Sequence, residues 1–168
     1  MKRLIAAVCA LLVGVGVSYG GMGVFVSQWS PDEGDDTIGG GAKLELGGDM
    51  LGVELRGSYF DEDHLTIIPA DVGLVLNLPL GDSPLGLYAM GGASWYFLDS
   101  DDVDVDDELG WYAGGGVKLS LGEGLAIFAE AQYRSLEWTA EGDDVDEIED
   151  NDIDYSAMTY NAGLIFEF

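Results

Sequence analysis

The chain closes on a strict period of two. Read back from the end, Phe168, Phe166, Leu164, Ala162, Tyr160 and Met158 fall on one face of a strand. Glu167, Ile165, Gly163, Asn161 and Thr159 fall on the other. The first face is apolar without a break. The second is mixed, mostly small or polar. Successive side chains of a strand point to opposite sides, so this stretch suits a strand with one side in hydrocarbon and the other in a tight polar interior. A soluble chain usually ends in a frayed polar tail, whereas this one ends on an aromatic ring.

The same alternation recurs upstream. Strands are predicted at about Met22–Ser30, Thr37–Leu46, Leu51–Phe60, Leu65–Leu80, Leu85–Leu98, Leu109–Leu121, Leu125–Thr139 and Tyr155–Phe168. Gly47-Gly48-Asp49, Gly81-Asp82-Ser83-Pro84 and Gly122-Glu123-Gly124 read as tight turns between them. The other connections are longer and acidic. In a meander this places every short turn at one end and every acidic loop at the other. The fold class expected is all-β: an eight-stranded antiparallel up-and-down barrel.

The faces decide what kind of barrel. One side of each middle strand is apolar throughout, as in Ile68, Ala70, Val72, Leu74, Leu76, Leu78 and Leu80. Lys43, Arg56, Lys118 and Arg134 all lie on the opposite faces, with Glu45, Glu54, Asp71, Glu130 and Gln132. A soluble ligand-binding barrel has its apolar face inside and its charges outside. Here the order is reversed, which predicts a lipid-facing exterior and a polar lumen. Enclosed charges are costly unless paired. If Leu46 pairs with Leu51, Lys43 lies directly opposite Glu54. If Leu121 pairs with Leu125, Lys118 lies diagonal to Glu130. Interior ion pairs are therefore expected among Lys43, Glu54, Arg56, Lys118, Glu130 and Arg134. Inward glycines such as Gly39, Gly41, Gly92 and Gly116 leave room for Tyr88, Tyr96 and Tyr112. The first strand leaves two registers open: Val24 and Val26 face lipid, or Phe25 and Trp29 do. Trp95, Phe97, Trp111, Tyr133, Trp138 and Tyr59 gather toward the acidic end, and Phe166 and Phe168 toward the turn end, as interface girdles do.

Lys2 and Arg3, the apolar run Leu4–Val17 and the small-residue end Ser18-Tyr19-Gly20 read as a secretory signal peptide. Residues 1–20 are thus expected to be removed, give or take a residue or two, leaving a barrel domain at 21–168. Cys9 leaves with the leader, so no disulfide is possible in the mature chain. Four basic residues then remain against 32 acidic ones. Nucleic acid is excluded as a partner by that charge. Such acidity often means disorder, but 23 of the acids lie in four segments, 31–36, 61–63, 99–108 and 141–154. Between them the chain is apolar and glycine-rich.

The end of the chain resembles the C-terminal signal of bacterial outer-membrane β-barrels, on Asn161, Gly163, Phe166 and Phe168. The whole mature chain resembles the porin-like small barrels of the OmpA and opacity-protein type. It is expected to depart from them in having no peptidoglycan-binding domain after the last strand, and it departs in loops that are short and unusually acidic. The resemblance implies an outer-membrane location, reached through the periplasm, with membrane lipid and the barrel-assembly machinery as partners.

Enzyme chemistry finds little support. His64 is the one histidine, and nothing in the sequence brings Ser58 to it for a triad. No zinc set or other cofactor site is expected. Asp102, Asp104 and Asp106 have a calcium-like spacing, but the EF-hand glycine and closing glutamate are absent. Weak divalent-cation association at Asp99, Asp101, Asp102, Asp104 and Asp106 is the most these loops imply. The expected role is structural or surface-interacting. A narrow cation-selective pore is the alternative, favoured by the acidic mouth, and a lipid-modifying enzyme a distant third.

Overall fold

The computed structural model describes residues 19–32, 35–62, 65–81, 83–100, 108–135, 137–138, 153–154 and 156–168. Seven long strands follow one another: β1 (Tyr19–Pro31), β2 (Thr37–Gly47), β3 (Leu51–Glu62), β4 (Leu65–Pro79), β5 (Leu85–Ser100), β6 (Glu108–Gly122) and β7 (Leu125–Ser135). Two short strands, β8 (Glu137–Trp138) and β9 (Ile153–Asp154), pair only with each other. The last strand, β10 (Ala157–Glu167), lies between β7 and β1 and closes the barrel. Eight strands, all antiparallel to their neighbours, leave no free edge among the described residues. In hydrocarbon that closure is compulsory, because an unpaired backbone N–H or C=O has no water to bond.

Closure runs along β1 and β10 from Gly21↔Glu167 to Pro31↔Ala157. Gly20 and Phe168 extend it by exchanging backbone hydrogen bonds of 3.0 and 2.8 Å. The strand thus includes Tyr19 and Gly20, the last two residues of the expected leader. Strand seven is shorter than predicted. The chain leaves the barrel at Ser135, and Trp138 belongs to the small ribbon.

The exterior is the apolar face the alternation predicts. Met22, Val24, Val26, Leu74, Leu164, Phe166 and Phe168 are all exposed, as are Tyr59, Phe97, Trp111 and Tyr133 toward the loop end. Phe25 and Trp29 are buried, which settles the register of the first strand. Inside, tyrosines crowd against glycines. A Cβ on Gly116 would sit 2.7 Å from the Tyr88 ring, and one on Gly73 would strike the Tyr112 hydroxyl. In a lumen this narrow, a ring and a facing side chain cannot both be accommodated.

At the β6–β7 turn Gly122, not Leu121, pairs with Leu125, and an irregularity between Ser120 and Gly122 restores the expected register beyond it. The β2–β3 register differs along its whole length. Leu46 pairs with Val53, not Leu51, so Glu45 faces Glu54 and Lys43 faces Arg56. The reason lies in the turn. Gly47 and Gly52 face each other so closely that a Cβ on Gly47 would meet the Gly52 Cα at 2.4 Å. Residues 48–50 then form the connection, with the Gly48 N–H bonded to the Leu51 carbonyl at 3.0 Å. Leu51 pairs with Leu76 of β4 instead.

Candidate functional site

The barrel interior is the one place where charged groups are brought together among the described residues. The β2–β3 register puts like charges directly opposite, which is unfavourable unless other partners are reached. They are reached diagonally and across the lumen. Lys43 Nζ lies 3.1 Å from Glu45, 3.5 Å from Glu54 and 3.3 Å from Glu130. Arg56 contacts Glu54 at 3.0 Å and also Glu130. The side chains of Lys43, Glu54, Arg56 and Glu130 are wholly shielded from solvent. Tyr88 donates to Glu130 at 2.8 Å, and Asn161 and Gln132 each donate to it at 3.1 Å.

Toward the loop end the network continues through Gln132. Arg134 donates to Gln132 at 2.9 Å and grips Asp71 with both terminal nitrogens, at 3.0 and 2.6 Å. This two-pronged geometry is the strongest form of a charge-assisted pair. Ser94 donates to the same carboxylate. Toward the turn end Lys118 contacts Glu45 at 2.8 Å and Glu167 at 3.6 Å. Its backbone register opposite Phe128 places Glu130 on the diagonal, but its ammonium reaches across to β2 and β10 instead. Five carboxylates and four cations are thus linked in one chain of contacts. Aromatic faces take up the remaining sides of the cations. Lys43 Nζ lies 3.7 Å from the Phe128 ring centre, and the Arg56 guanidinium 5.0 Å from that of Phe25.

Apolar clusters fill the rest of the lumen. Phe25, Ala126, Phe128 and Ile165 pack together, as do Val75, Tyr88, Met90 and Tyr112. At the loop end Trp29, Phe60, Tyr96 and Ala157 form a third cluster. At the turn end a cavity of about 220 Å³ opens between the short turns, lined by residues including Asn77, Tyr88, Lys118, Ser120 and Glu167.

Most of the remaining sequence candidates lie outside the described residues. Ser58 is buried on the inner face, while His64 lies outside the described residues. Asp101, Asp102, Asp104 and Asp106 also lie outside them, and Asp99 ends near the rim of β5. Among the described residues no group of three or more histidine, cysteine or acidic side chains is arranged to hold a metal. Of the end-signal residues, Phe166 and Phe168 face outward, and Asn161 is buried against Glu130. Gly163 faces inward, where a Cβ would lie 2.7 Å from that of Phe25. Sequence reasoning missed Asp71 as the partner of Arg134 and Glu167 as a contact of Lys118. Neither pair lies on adjacent strands, and contacts that barrel curvature creates are invisible to a one-strand pattern.

The family model for the outer membrane protein beta-barrel domain matches residues 7–168. No curated protein matches the chain. Among solved structures it is similar to Neisserial surface protein A, at TM-score 0.67 and 11% identity, over 89% of this chain and 96% of that one. It is also similar to the outer membrane protein OprG from Pseudomonas aeruginosa, at TM-score 0.64 and 16% identity, over 89% and 95%. A third is Ail, the attachment invasion locus protein of Yersinia pestis, solved with the heparin analogue sucrose octasulfate. It matches at TM-score 0.56 and 14% identity, over 89% and 98%. At these identities the likeness is one of fold.

Proposed function

The chain belongs to the outer-membrane β-barrel domain family, and from that premise we propose a structural or surface-interacting, non-enzymatic role in the bacterial outer membrane. The barrel is anchored by its apolar exterior and presents its acidic connections outside the cell. It reaches the membrane through the periplasm after loss of its leader, and the assembly machinery reads the end at Phe166 and Phe168.

The single observation that supports this reading is the filled lumen. Lys43, Glu54, Arg56 and Glu130 bond across the middle of the barrel with their side chains wholly shielded from solvent. A conducting pore needs sites an ion can enter and leave. A network whose charges already satisfy one another offers none. The test is bilayer recording on the refolded protein. Silence is expected. Discrete cation-selective steps in the unaltered protein would replace this reading with that of a narrow porin.

A further inference from the structure

The two ends of the lumen are built differently. At the turn end water reaches the charges: the Lys118 and Glu167 side chains are 14% and 18% exposed, beside the open cavity. At the loop end the inner face turns aromatic. Trp29 stacks edge-on against Phe60 at 5.3 Å and against Tyr96 at 6.1 Å. These rings come from β1, β3 and β5, no two of which are neighbours, so together they bridge the lumen. Tyr96 is fully buried and Phe60 nearly so. Ile67 of β4 packs against them.

The wall is cut to receive the rings. A Cβ on Gly39 would lie 2.5 Å from the Phe60 ring, and one on Gly110 would lie 3.0 Å from the Tyr96 ring. Directly beneath lie polar groups: Ser27, two residues from Trp29 on the same face, and the Arg134–Asp71 pair with Ser94. An aromatic layer over a charged core is a barrier to ions, because crossing it means shedding water without a polar partner.

We propose that Trp29, Phe60 and Tyr96 form a fixed aromatic lid that closes the lumen on the acidic-loop side, leaving a one-ended chamber watered only from the turn end. The lid has a physical purpose. The acidic connections concentrate cations at that end, and those cations would compete with Lys43, Arg56 and Arg134 for the interior carboxylates. The lid keeps them out. The inference rests on the closed-barrel reading but is tested separately from it.

The test reads access to single thiols in the refolded barrel, on a Cys9→Ser background, with a small positively charged methanethiosulfonate as the probe. Ser120→Cys places a thiol at the open cavity and Ser27→Cys places one under the lid. Because thiol reaction needs access, Ser27→Cys should react at least about tenfold more slowly than Ser120→Cys. Adding Trp29→Ala should remove that protection, while Trp29→Phe should keep it. Only protein that retains its folded mobility on an unboiled gel is scored. Where Trp29→Ala does not fold, Phe60→Ala gives the same reading. Equal rates at the two thiols in the intact lid, or protection that survives loss of the ring, would overturn the lid. Conductance by the unaltered barrel would instead overturn the closed-barrel role.

Discussion

Arg134 and Asp71 carry the clearest prediction at the scale of single residues. Their side chains are almost wholly shielded, and they are joined by two parallel hydrogen bonds. Replacing Arg134 by Met strands the Asp71 carboxylate, which should cost about 3–5 kcal/mol. Removing both charges, as Arg134→Met with Asp71→Leu, should recover much of that, because the penalty comes from the unpaired charge. Urea unfolding in lipid vesicles measures both, and a double variant no better than the single one would contradict it. Glycines give a second contrast. A Cβ at Gly73 meets the Tyr112 hydroxyl and, at 2.6 Å, the Gly91 carbonyl, whereas one at Gly57 meets nothing within 4 Å. Gly73→Ala should therefore cost about 1–3 kcal/mol, and Gly57→Ala should leave the unfolding midpoint in place. Lys43, Arg56, Lys118 and Arg134 were legible as inward from parity alone, since a charge tells lumen from lipid. Phe25 and Trp29 were not. The first strand carries no charge from Met22 to Ser30, and Ser27 and Gln28 put a polar residue on each face, so nothing marks the inner one.

At the scale of elements, strands were legible wherever acidic or glycine-rich breaks framed an alternating run. Register was less so. The β2–β3 offset depends on Gly47 meeting Gly52 face to face, a contact between two backbones that leaves no trace in hydrophobic pattern. The end of β10 yields a prediction in two parts. Phe168 joins Gly20 through its backbone, while its ring is exposed on the lipid side. Phe168→Ala keeps the backbone bonds, so refolding from urea into detergent should proceed as before. In cells, where the ring is expected to be read by the assembly machinery, the amount of folded barrel should fall. Equal amounts in cells would remove the signal role. The same seam bears on the leader. Cleavage after Ser18 preserves the bonds from Gly20 to Phe168, and cleavage after Gly20 removes them. The mass of the mature protein distinguishes the two.

For the whole molecule, the distribution of charge matters more than its sum. The four basic residues of the segment 21–168 all face the lumen, engaged with interior carboxylates. None is left to offset the 23 acids of the four connecting segments. Their countercharge must come from solution, and an anionic membrane surface would add to the demand. Divalent cations meet it best, because each neutralises two carboxylates. No complete coordination pattern exists in the acidic run 99–108, so binding should be weak and unselective between magnesium and calcium. Amide chemical shifts of the acidic segments in detergent should therefore move gradually over the millimolar range with either ion. Changing Asp101, Asp102, Asp104 and Asp106 to Asn should shrink the response while leaving the barrel's strand signals in place, since these residues lie beyond β5. No movement at tens of millimolar would leave the acids as a solvated rim alone. A sharp transition at micromolar calcium would mean that the loops form a true site, and the surface role would then have to be built around that ion.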